Sequence, residues 1–475
     1  MYHVELSCQG WNVDTIIFRM PDWMPGYYQV MNYAGYVKNF TVVESGHGQS
    51  VSRPDKNTWE VVVPRGKPFT VDYDVKADRR FVANSLLDTT HAYIIPEATF
   101  LYIAGHLDIP VEVKIDAPGK WDRIATGLDR VDGSSNVFIA PDFDVLNDCP
   151  LLAGHLEELP SFTVKGVEHQ FEGYMLGSFD REVFMNNLEK AVKAAIGIIG
   201  DIPYKHYTFI AIGPGRGGIE HSNSTTVSFS GTGLNSRESM RRTMSFLAHE
   251  YFHLYNVKRI RPFELGPFDY DRENRTNLLW VSEGLTVYYE YLILKRAGIS
   301  EEPDLFSDFE GSININENNP GRLYQSLVQS SYRTWDEGPF GNLGSEEGKT
   351  ISYYDKGPCV GLVLDFAIRH ATQNNRSLDD VMRYLYNEYY RKLKRGFTDA
   401  EFQEACEAVA GTSLNDEFEY VYTTKEIDYN KYLQYAGLKL SWKTDKETGV
   451  KKYTISRLDN IATEQENVLK SWLGE

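Results

Sequence analysis

The stretch SFLAHEYFHLYNVKRIRP, residues 245–262, decides how the rest of the chain is interpreted. A helix turns about 100° per residue, so His249 and His253 lie about 40° apart on one helix face. Both imidazoles can therefore bind one metal ion. Glu250 lies beside that face, where a carboxylate can deprotonate a water molecule without itself binding the metal. The spacing predicts a metal-binding helix with its own general base.

A third ligand is needed, because a catalytic zinc ion usually takes three protein ligands and keeps one position open. The segment NLLWVSEGLTVYYEYLIL, residues 277–294, predicts an apolar helix that carries Glu283 among hydrophobic neighbours. Ligation would explain an acidic residue there. The alternatives lie in the polar connection before this helix and read as solvated loop residues: Glu264, Asp269, Asp271 and Glu273. Zinc is the expected metal, although cobalt and manganese also suit such ligands.

Composition excludes several other classes of protein. The 475 residues predict more than one domain, and the net charge of -18 argues against a nucleic-acid partner. The four cysteines are too widely spaced for a cysteine metal site, and no run approaches the roughly 20 apolar residues of a membrane span. The opening MYHVELSCQGW reads as a strand and lacks the features of a signal peptide, which leaves open whether an upstream segment has been removed. The compartment is not predicted.

The periodicity of apolar residues divides the chain into four regions. Residues 1–178 show short alternating runs such as FTVDYDV and VEVKID, which are typical of a β-rich domain. Residues 179–300 form the metal-binding region, which starts with an amphipathic helix from about 180 to 200 and contains predicted helices at 237–257 and 277–297. Residues 301–438 are predicted to be helical, and residues 439–475 form a short strand and a final helix.

Four motifs in order resemble the M61 family of peptidases, the glycyl aminopeptidases: GGIEHSNS, HEYFHLYNVKRIRP, WVSEGLTVYYEYL and YYDKGP. The segments MPDWMPGYY and FDVLNDCPLLAG also resemble the family's N-terminal domain. The resemblance implies an α+β multidomain protein with an N-terminal β-sandwich-like domain, a thermolysin-like (gluzincin) zinc catalytic domain and a helical C-terminal domain. It also implies one Zn²⁺ ion and supports Glu283 as the third ligand.

The chain departs from related patterns in two places. Between His253 and Glu283 there are 29 residues, whereas the related M1 pattern has 18; M61 proteins resemble the longer form. Between Leu440 and Glu475 there is no room for the PDZ domain that many M61 members carry, so no PDZ-mediated partner is expected.

The resemblance also assigns residues to the substrate. Gly217, Gly218, Glu220 and His221 resemble the strand that pairs with the substrate in related aminopeptidases. Glycines let a peptide backbone approach closely, and a carboxylate beside them can bind an α-ammonium group, the role given to Glu220. A surface turn with a solvated glutamate is the alternative.

The tyrosine of YYDKGP that matches the oxyanion donor of related enzymes is Tyr354. Such a donor is useful because negative charge develops on the carbonyl oxygen only during the reaction. Tyr353 is the adjacent alternative.

The predicted reaction is hydrolysis of a peptide bond, with Glu250 as general base and Tyr354 as oxyanion donor. The expected partner is a peptide with a free N-terminus, from which glycine or alanine is removed. Two alternatives stay open. One is a zinc endopeptidase without recognition of the amino terminus, and the other is a non-catalytic peptide-binding protein with a structural metal.

Overall fold

The computed structural model describes residues 1–43, 50–63, 65–119, 121–344 and 348–475. These residues divide into two compact units. The first unit comprises Met1–Phe179, Tyr204–Thr232 and Asp269–Glu273, and the second comprises Asp180–Pro203, Gly233–Phe268 and Asn274–Glu475. The units are thus interleaved along the chain. The domain boundaries proposed at residues 178, 300 and 438 stay predictions.

The first unit is built almost entirely from strands. Its first strands are β1 (Tyr2–Cys8), β2 (Thr15–Arg19), β3 (Val37–Val43), β4 (Val51–Asp55), β5 (Thr58–Val62), β6 (Phe69–Val75), β7 (Leu86–Leu87), β8 (His91–Ile94) and β9 (Tyr102–Ile103). They are followed by β10 (Val111–Lys114), β11 (Arg123–Thr126), β12 (Asp129–Arg130), β13 (Val137–Ala140), the short helix α1 (Phe143–Asn147), β14 (Leu151–Gly154), β15 (Glu157–Glu158), β16 (Phe162–Val164) and β17 (Val167–Gly173).

Two antiparallel sheets of this unit share one hydrophobic core. One sheet has the strand order β1-β6-β3 and the other β4-β5-β2-β9. Along β6 every second residue is buried, so Val71 and Tyr73 face the same core as Phe18 and Val61 of the other sheet. The Phe18 and Phe69 rings meet edge to face with centroids 6.4 Å apart. The predicted β-sandwich-like N-terminal part is confirmed.

A further sheet extends this unit with residues from beyond position 200. Its order is β15-β17-β18-β20-β19, with β18 (His206–Ala211), β19 (Gly218–Glu220) and β20 (Ser224–Val227), and β16 also pairs with β17. Strands β17, β18 and β20 run parallel, and the short β19 lies antiparallel at the edge. The glycine-rich stretch therefore forms an edge strand with one backbone side unpaired within the described sheet.

The second unit is helical. It contains α2 (Arg181–Ile199), α3 (Arg237–Phe252), α4 (Leu285–Arg296), α5 (Glu302–Asn318), α6 (Leu327–Tyr332), α7 (Thr334–Glu337), α8 (Tyr353–Ala371), α9 (Leu378–Leu385), α10 (Asp399–Ala410), α11 (Asn415–Tyr422), α12 (Tyr429–Leu433) and α13 (Thr463–Leu473). Trp280–Gly284 and Tyr386–Leu393 form π-helical turns. In the part of the chain described here, no helix is both long enough and apolar enough to cross a membrane.

Side-chain caps fix where several of these helices begin. Asp180 accepts a hydrogen bond from the backbone N–H of Val183 at the start of α2, and the Thr398 side chain accepts from the backbone N–H of Glu401 at the start of α10. The end of α3 differs from prediction. The helix stops at Phe252 instead of residue 257. Beyond it the backbone N–H groups of Leu254 and Tyr255 donate to carbonyls three residues back, and the Arg259 guanidinium donates to the carbonyl of Leu254 just past the helix end.

The C-terminal hairpin, β21 (Leu438–Thr444) and β22 (Lys451–Arg457), is joined to α5 by a ladder of side chains. Four residues of a helix and two of a strand both span about 6–7 Å, so side chains on one helix face can match alternate residues of a strand edge. The pairs are Asn318 with Lys451, Asn314 with Tyr453 and Glu310 with Ile455. The helix thereby covers the edge of the hairpin.

Candidate metal centre

Both predicted histidine ligands lie at the C-terminal end of α3. The helix begins at the cap Ser236, whose side chain accepts from the backbone N–H of Ser239, and His249 lies in its last turn. His253 is the C-cap residue and keeps a right-handed helical conformation, so its side chain stays on the same face as His249. Both imidazoles are buried.

Three ligand atoms converge at this place. The two Nε2 atoms of His249 and His253 are 3.0 Å apart. The Glu283 Oε2 atom lies 3.2 Å from Nε2 of His253 and 3.6 Å from Nε2 of His249. Three corners of a tetrahedron with edges of about 3.3 Å each lie about 2.0 Å from its centre, which matches zinc–nitrogen and zinc–oxygen bond lengths. The three atoms therefore fit a zinc ion with one position left open.

The outer nitrogen of each imidazole fixes which nitrogen faces the centre. Nδ1 of His253 lies 2.8 Å from the carbonyl oxygen of Asn256, which can only accept, so this nitrogen carries the proton. Nδ1 of His249 lies 2.9 Å from Oε2 of Glu290, whose other oxygen accepts from the Ser245 hydroxyl at 2.6 Å. In the neutral imidazoles both Nε2 lone pairs then point towards the Glu283 carboxylate, an arrangement that calls for a cation.

The pKa shifts of Glu283 and His249 agree with the need for a cation at this place. Burial alone would raise the pKa of Glu283, but the neighbouring His253 and His249 more than offset it and hold the pKa well below its usual range. Burial lowers the pKa of His249, while Glu283, Glu290 and Glu250 raise it, with a net pKa well above the usual value. The buried carboxylates thus favour positive charge among them, which a metal ion supplies.

Glu283 is held by a close contact between two helices. It lies in the π-helical turn Trp280–Gly284, whose last residue packs against the backbone of α8. A Cβ added to Gly284 would lie 2.6 Å from the Cα of Gly357 and 2.7 Å from the carbonyl oxygen of Tyr353. The Asn256 amide donates to the carbonyls of Val281 and Ser282 on the other side. Both glycines are required for this approach.

The two predicted catalytic side chains belong to the same unit as the three ligands. Glu250 is buried on α3 between the two histidines. Tyr354 lies in the first turn of α8, half-buried, with its ring centroid 6.2 Å from that of His249. The competing Tyr353 is fully buried, and its hydroxyl lies 3.0 Å from that of Thr334. Of the two tyrosines, Tyr354 is the one whose ring stacks on a predicted ligand.

The predicted substrate strand lies in the first unit. Gly217 has a left-handed φ of +87°, and Gly218 begins the edge strand β19, which ends at Glu220. Glu220 is only 4% exposed, and its Oε1 atom has no hydrogen-bond partner among the described residues. His221 is buried with Nδ1 3.5 Å from a carboxylate oxygen of Asp148.

Gly26, in the segment MPDWMPGYY, lies directly against Glu220. A Cβ at Gly26 would be 2.8 Å from Oε2 of Glu220, and the φ of +91° also favours glycine there. The motifs MPDWMPGYY and GGIEHSNS therefore meet at the carboxylate of Glu220.

The alternative third ligands have other partners. The hydroxyl of Thr276 donates to Glu264 at 3.0 Å. Asp271 accepts from the Tyr102 hydroxyl at 2.7 Å and pairs with Arg19 within the first unit. The sequence does not predict the roles of Glu290 and Asn256 or the contact between Gly284 and Gly357. Glu290 follows Glu283 by seven residues, which is two helical turns, so its spacing was the one available signal.

Family models match two parts of the chain. The Peptidase M61 N-terminal domain matches residues 1–155, and the M61 glycyl aminopeptidase domain matches residues 242–360. The chain belongs to the peptidase M61 family. The predicted resemblance is thereby confirmed. No curated protein matches the chain.

Solved structures share the fold of this M61 protein. An aminopeptidase N family protein from Idiomarina loihiensis is 25% identical with a TM-score of 0.87, over 94% of this chain and 78% of that chain. An M1 zinc metallopeptidase from Deinococcus radiodurans is 12% identical with a TM-score of 0.55, over 90% of each chain. A mutant of the Deinococcus enzyme bound to a Tyr-Ser-Ala substrate is 12% identical with a TM-score of 0.53, over 90% of each chain.

Family and site together establish the class of enzyme. The M61 match identifies a peptidase, the fold is that of zinc metallopeptidases, and His249, His253 and Glu283 form a buried group able to hold a metal ion. The M61 protein is a zinc-dependent peptidase, and its substrates are peptides.

Proposed function

We propose that this M61 peptidase is an aminopeptidase that removes an N-terminal glycine or alanine with one zinc ion held by His249, His253 and Glu283. The convergence of three buried ligand atoms within 3.6 Å of one another supports the zinc site, and the buried carboxylate of Glu220 supports recognition of a free amino terminus. A bound zinc ion supplies Lewis-acid chemistry at the scissile carbonyl. Proton transfer, stabilisation of the oxyanion and recognition of the substrate are carried out by side chains of this protein.

Glu250 acts as the general base. It is buried on the helix that carries both histidines, next in sequence to His249, which would place its carboxylate beside a water at this site. Its carboxylate takes a proton from the attacking water and then transfers that proton to the leaving amine. Tyr354 donates a hydrogen bond to the oxygen on which negative charge develops, a role supported by its stacking on His249.

Recognition of the free amino terminus is assigned to the glycine-rich edge strand. Gly217 and Gly218 leave room for a peptide backbone, which the edge of β19 can bind as an added strand. Glu220 supplies a buried carboxylate whose Oε1 has no partner in the described parts of the chain, and an α-ammonium group would satisfy it. His221, next to Glu220, completes this substrate-binding segment.

The aminopeptidase and endopeptidase alternatives are separated by blocking the substrate. Release of the first residue is measured for Gly-Ala-Ala and for its N-acetylated form, with and without a chelator and zinc restoration. Chelator-sensitive cleavage of the free peptide alone is the expected result. Cleavage of both peptides would replace the proposal with an endopeptidase, and cleavage of neither by the zinc-loaded protein would favour a peptide-binding protein.

Two variants test the catalytic roles. Glu250→Gln keeps the size of the side chain but removes the base, so turnover should be lost while zinc binding is retained; surviving turnover would refute the mechanism. Tyr354→Phe should lower kcat by about 100- to 1000-fold, the usual effect of losing one oxyanion donor. Tyr353→Phe is the matched control, because its hydroxyl bonds to Thr334 and should not affect kcat.

A further inference from the structure

An exposed aromatic side chain is fixed beside the predicted oxyanion donor. Phe340 is 63% exposed, and its ring centroid lies 5.4 Å from that of Tyr354. Tyr354 in turn stacks on His249. Phe340 is thus separated from a metal ligand by one ring, and its outer face is open to a bound molecule.

The backbone on both sides of Phe340 is anchored. The carbonyl oxygen of Pro339 accepts from the hydroxyl of Ser352 at 2.9 Å, and the carbonyl oxygen of Gly341 accepts from the hydroxyl of Thr350 at 2.5 Å. Gly341 also has a φ of +61°, and a Cβ there would lie 2.9 Å from the carbonyl oxygen of Ile351. These bonds hold the loop to the start of α8, so the ring of Phe340 is presented in one place.

An aromatic ring that is held in place and exposed to water forgoes the free energy of burial unless another group covers it. Burying apolar surface is favourable by about 25 cal/mol per Å², and this gain is forgone while the ring faces water. A bound side chain that packs on the outer face of Phe340 would recover it without any rearrangement of the loop. The position next to Tyr354 places such a side chain close to the scissile bond.

We propose, resting on the proposed function, that Phe340 forms an apolar subsite for the side chain of the second substrate residue. A first residue of glycine or alanine has at most one side-chain carbon and buries little against a phenyl ring. The second residue flanks the same scissile bond and has no such size limit. The preferred substrate class is therefore a peptide that begins with a small residue followed by a large aliphatic or aromatic one.

The test compares Gly-Leu-Ala with Gly-Asn-Ala, because leucine and asparagine are similar in size and differ in polarity. The wild-type kcat/KM should favour Gly-Leu-Ala by roughly tenfold, the value of burying about half of a leucine side chain. In Phe340→Ala this ratio should fall towards one, and in Phe340→Leu most of it should remain. Trp442→Ala is the matched control, since Trp442 is an aromatic with 54% exposure in the C-terminal hairpin.

The outcomes separate this inference from the proposed function. Equal wild-type cleavage of both peptides, or an unchanged ratio in Phe340→Ala, would overturn the subsite while leaving the aminopeptidase activity in place. A wild-type protein that cleaves neither peptide and no other Gly-X peptide would instead refute the proposed function. A ratio that falls in Phe340→Ala and not in Trp442→Ala supports the subsite.

Discussion

The contact between Gly284 and Gly357 is the feature whose removal should do most damage for the smallest chemical change. Gly284→Ala adds one methyl group, which would lie 2.6 Å from the Cα of Gly357 and 2.7 Å from the carbonyl oxygen of Tyr353. Non-bonded carbon atoms are in contact at about 3.5–4.0 Å, so the two backbones must separate by about 1 Å. Both atoms in the way belong to backbone, which cannot rotate aside.

That separation acts on both sides of the metal centre. Glu283 immediately precedes Gly284, and Tyr354 lies one helical turn before Gly357. A misplacement of about 1 Å costs about 100-fold in rate, and overpacking costs about 1–3 kcal/mol of stability. We expect Gly284→Ala to lower kcat/KM about 100-fold, to weaken zinc binding and to lower the free energy of unfolding by about 1–3 kcal/mol.

The assay measures kcat/KM on the zinc-loaded protein, the zinc dissociation constant and unfolding by denaturant. Gly311→Ala is the matched control, since Gly311 lies in α5 and a Cβ there meets none of the described residues within 4 Å. Alanine is the better helix former, so this control should keep full activity and gain about 0.5–1 kcal/mol. If Gly284→Ala behaves like the control, the close approach does not hold Glu283 in place and the reasoning is wrong.

Three further predictions concern other parts of the second unit. Glu290→Gln should weaken zinc binding by about 10- to 100-fold, measured by competition with a chelator, because the carboxylate orients His249. Burial lowers the pKa of Lys356 to about 8, so the folded protein disfavours the charged form of this side chain. Lys356→Met removes that penalty and should stabilise the protein at pH 7 by roughly 2–3 kcal/mol. The gain in stability should disappear as the pH rises from about 8 to about 10.5, because the lysine then loses its proton in the unfolded chain as well. Asn314→Leu should leave the Tyr453 backbone N–H and C=O without partners, lowering stability by about 2–4 kcal/mol and hydrogen-exchange protection in the hairpin.

Matched variants give each of these predictions a control. Glu238→Gln changes an exposed carboxylate on α3 and should leave zinc affinity unchanged. Lys190→Met changes an exposed lysine on α2 and should not stabilise the protein at pH 7. Ile315→Ala, next to Asn314 and 55% exposed, should not alter exchange in the hairpin. If any of the three variants behaves like its control, the argument behind that prediction is wrong.

The parts of the fold that sequence predicted are those governed by local periodicity. Alternation in FTVDYDV predicted β6, and apolar residues four apart predicted α2, which spans Arg181–Ile199. The end of α3 was predicted five residues too late, because periodicity says nothing about tertiary partners. Arg259 donates to the carbonyl of Leu254, two residues past the helix end, and such a contact becomes visible only in the folded chain.

The metal centre shows the same division between local and distant information. The spacing of His249 and His253 lies within one turn of helix, so any sequence that forms that helix brings both imidazoles to one face. What holds Glu283 depends on Gly357, 74 positions further along the chain, and on Asn256. Glycine at a helix contact matters through the residue opposite it, which no local pattern identifies. Sequence can therefore indicate which atoms bind the metal, whereas the structure is needed to indicate which small residues keep them within 3.6 Å of one another.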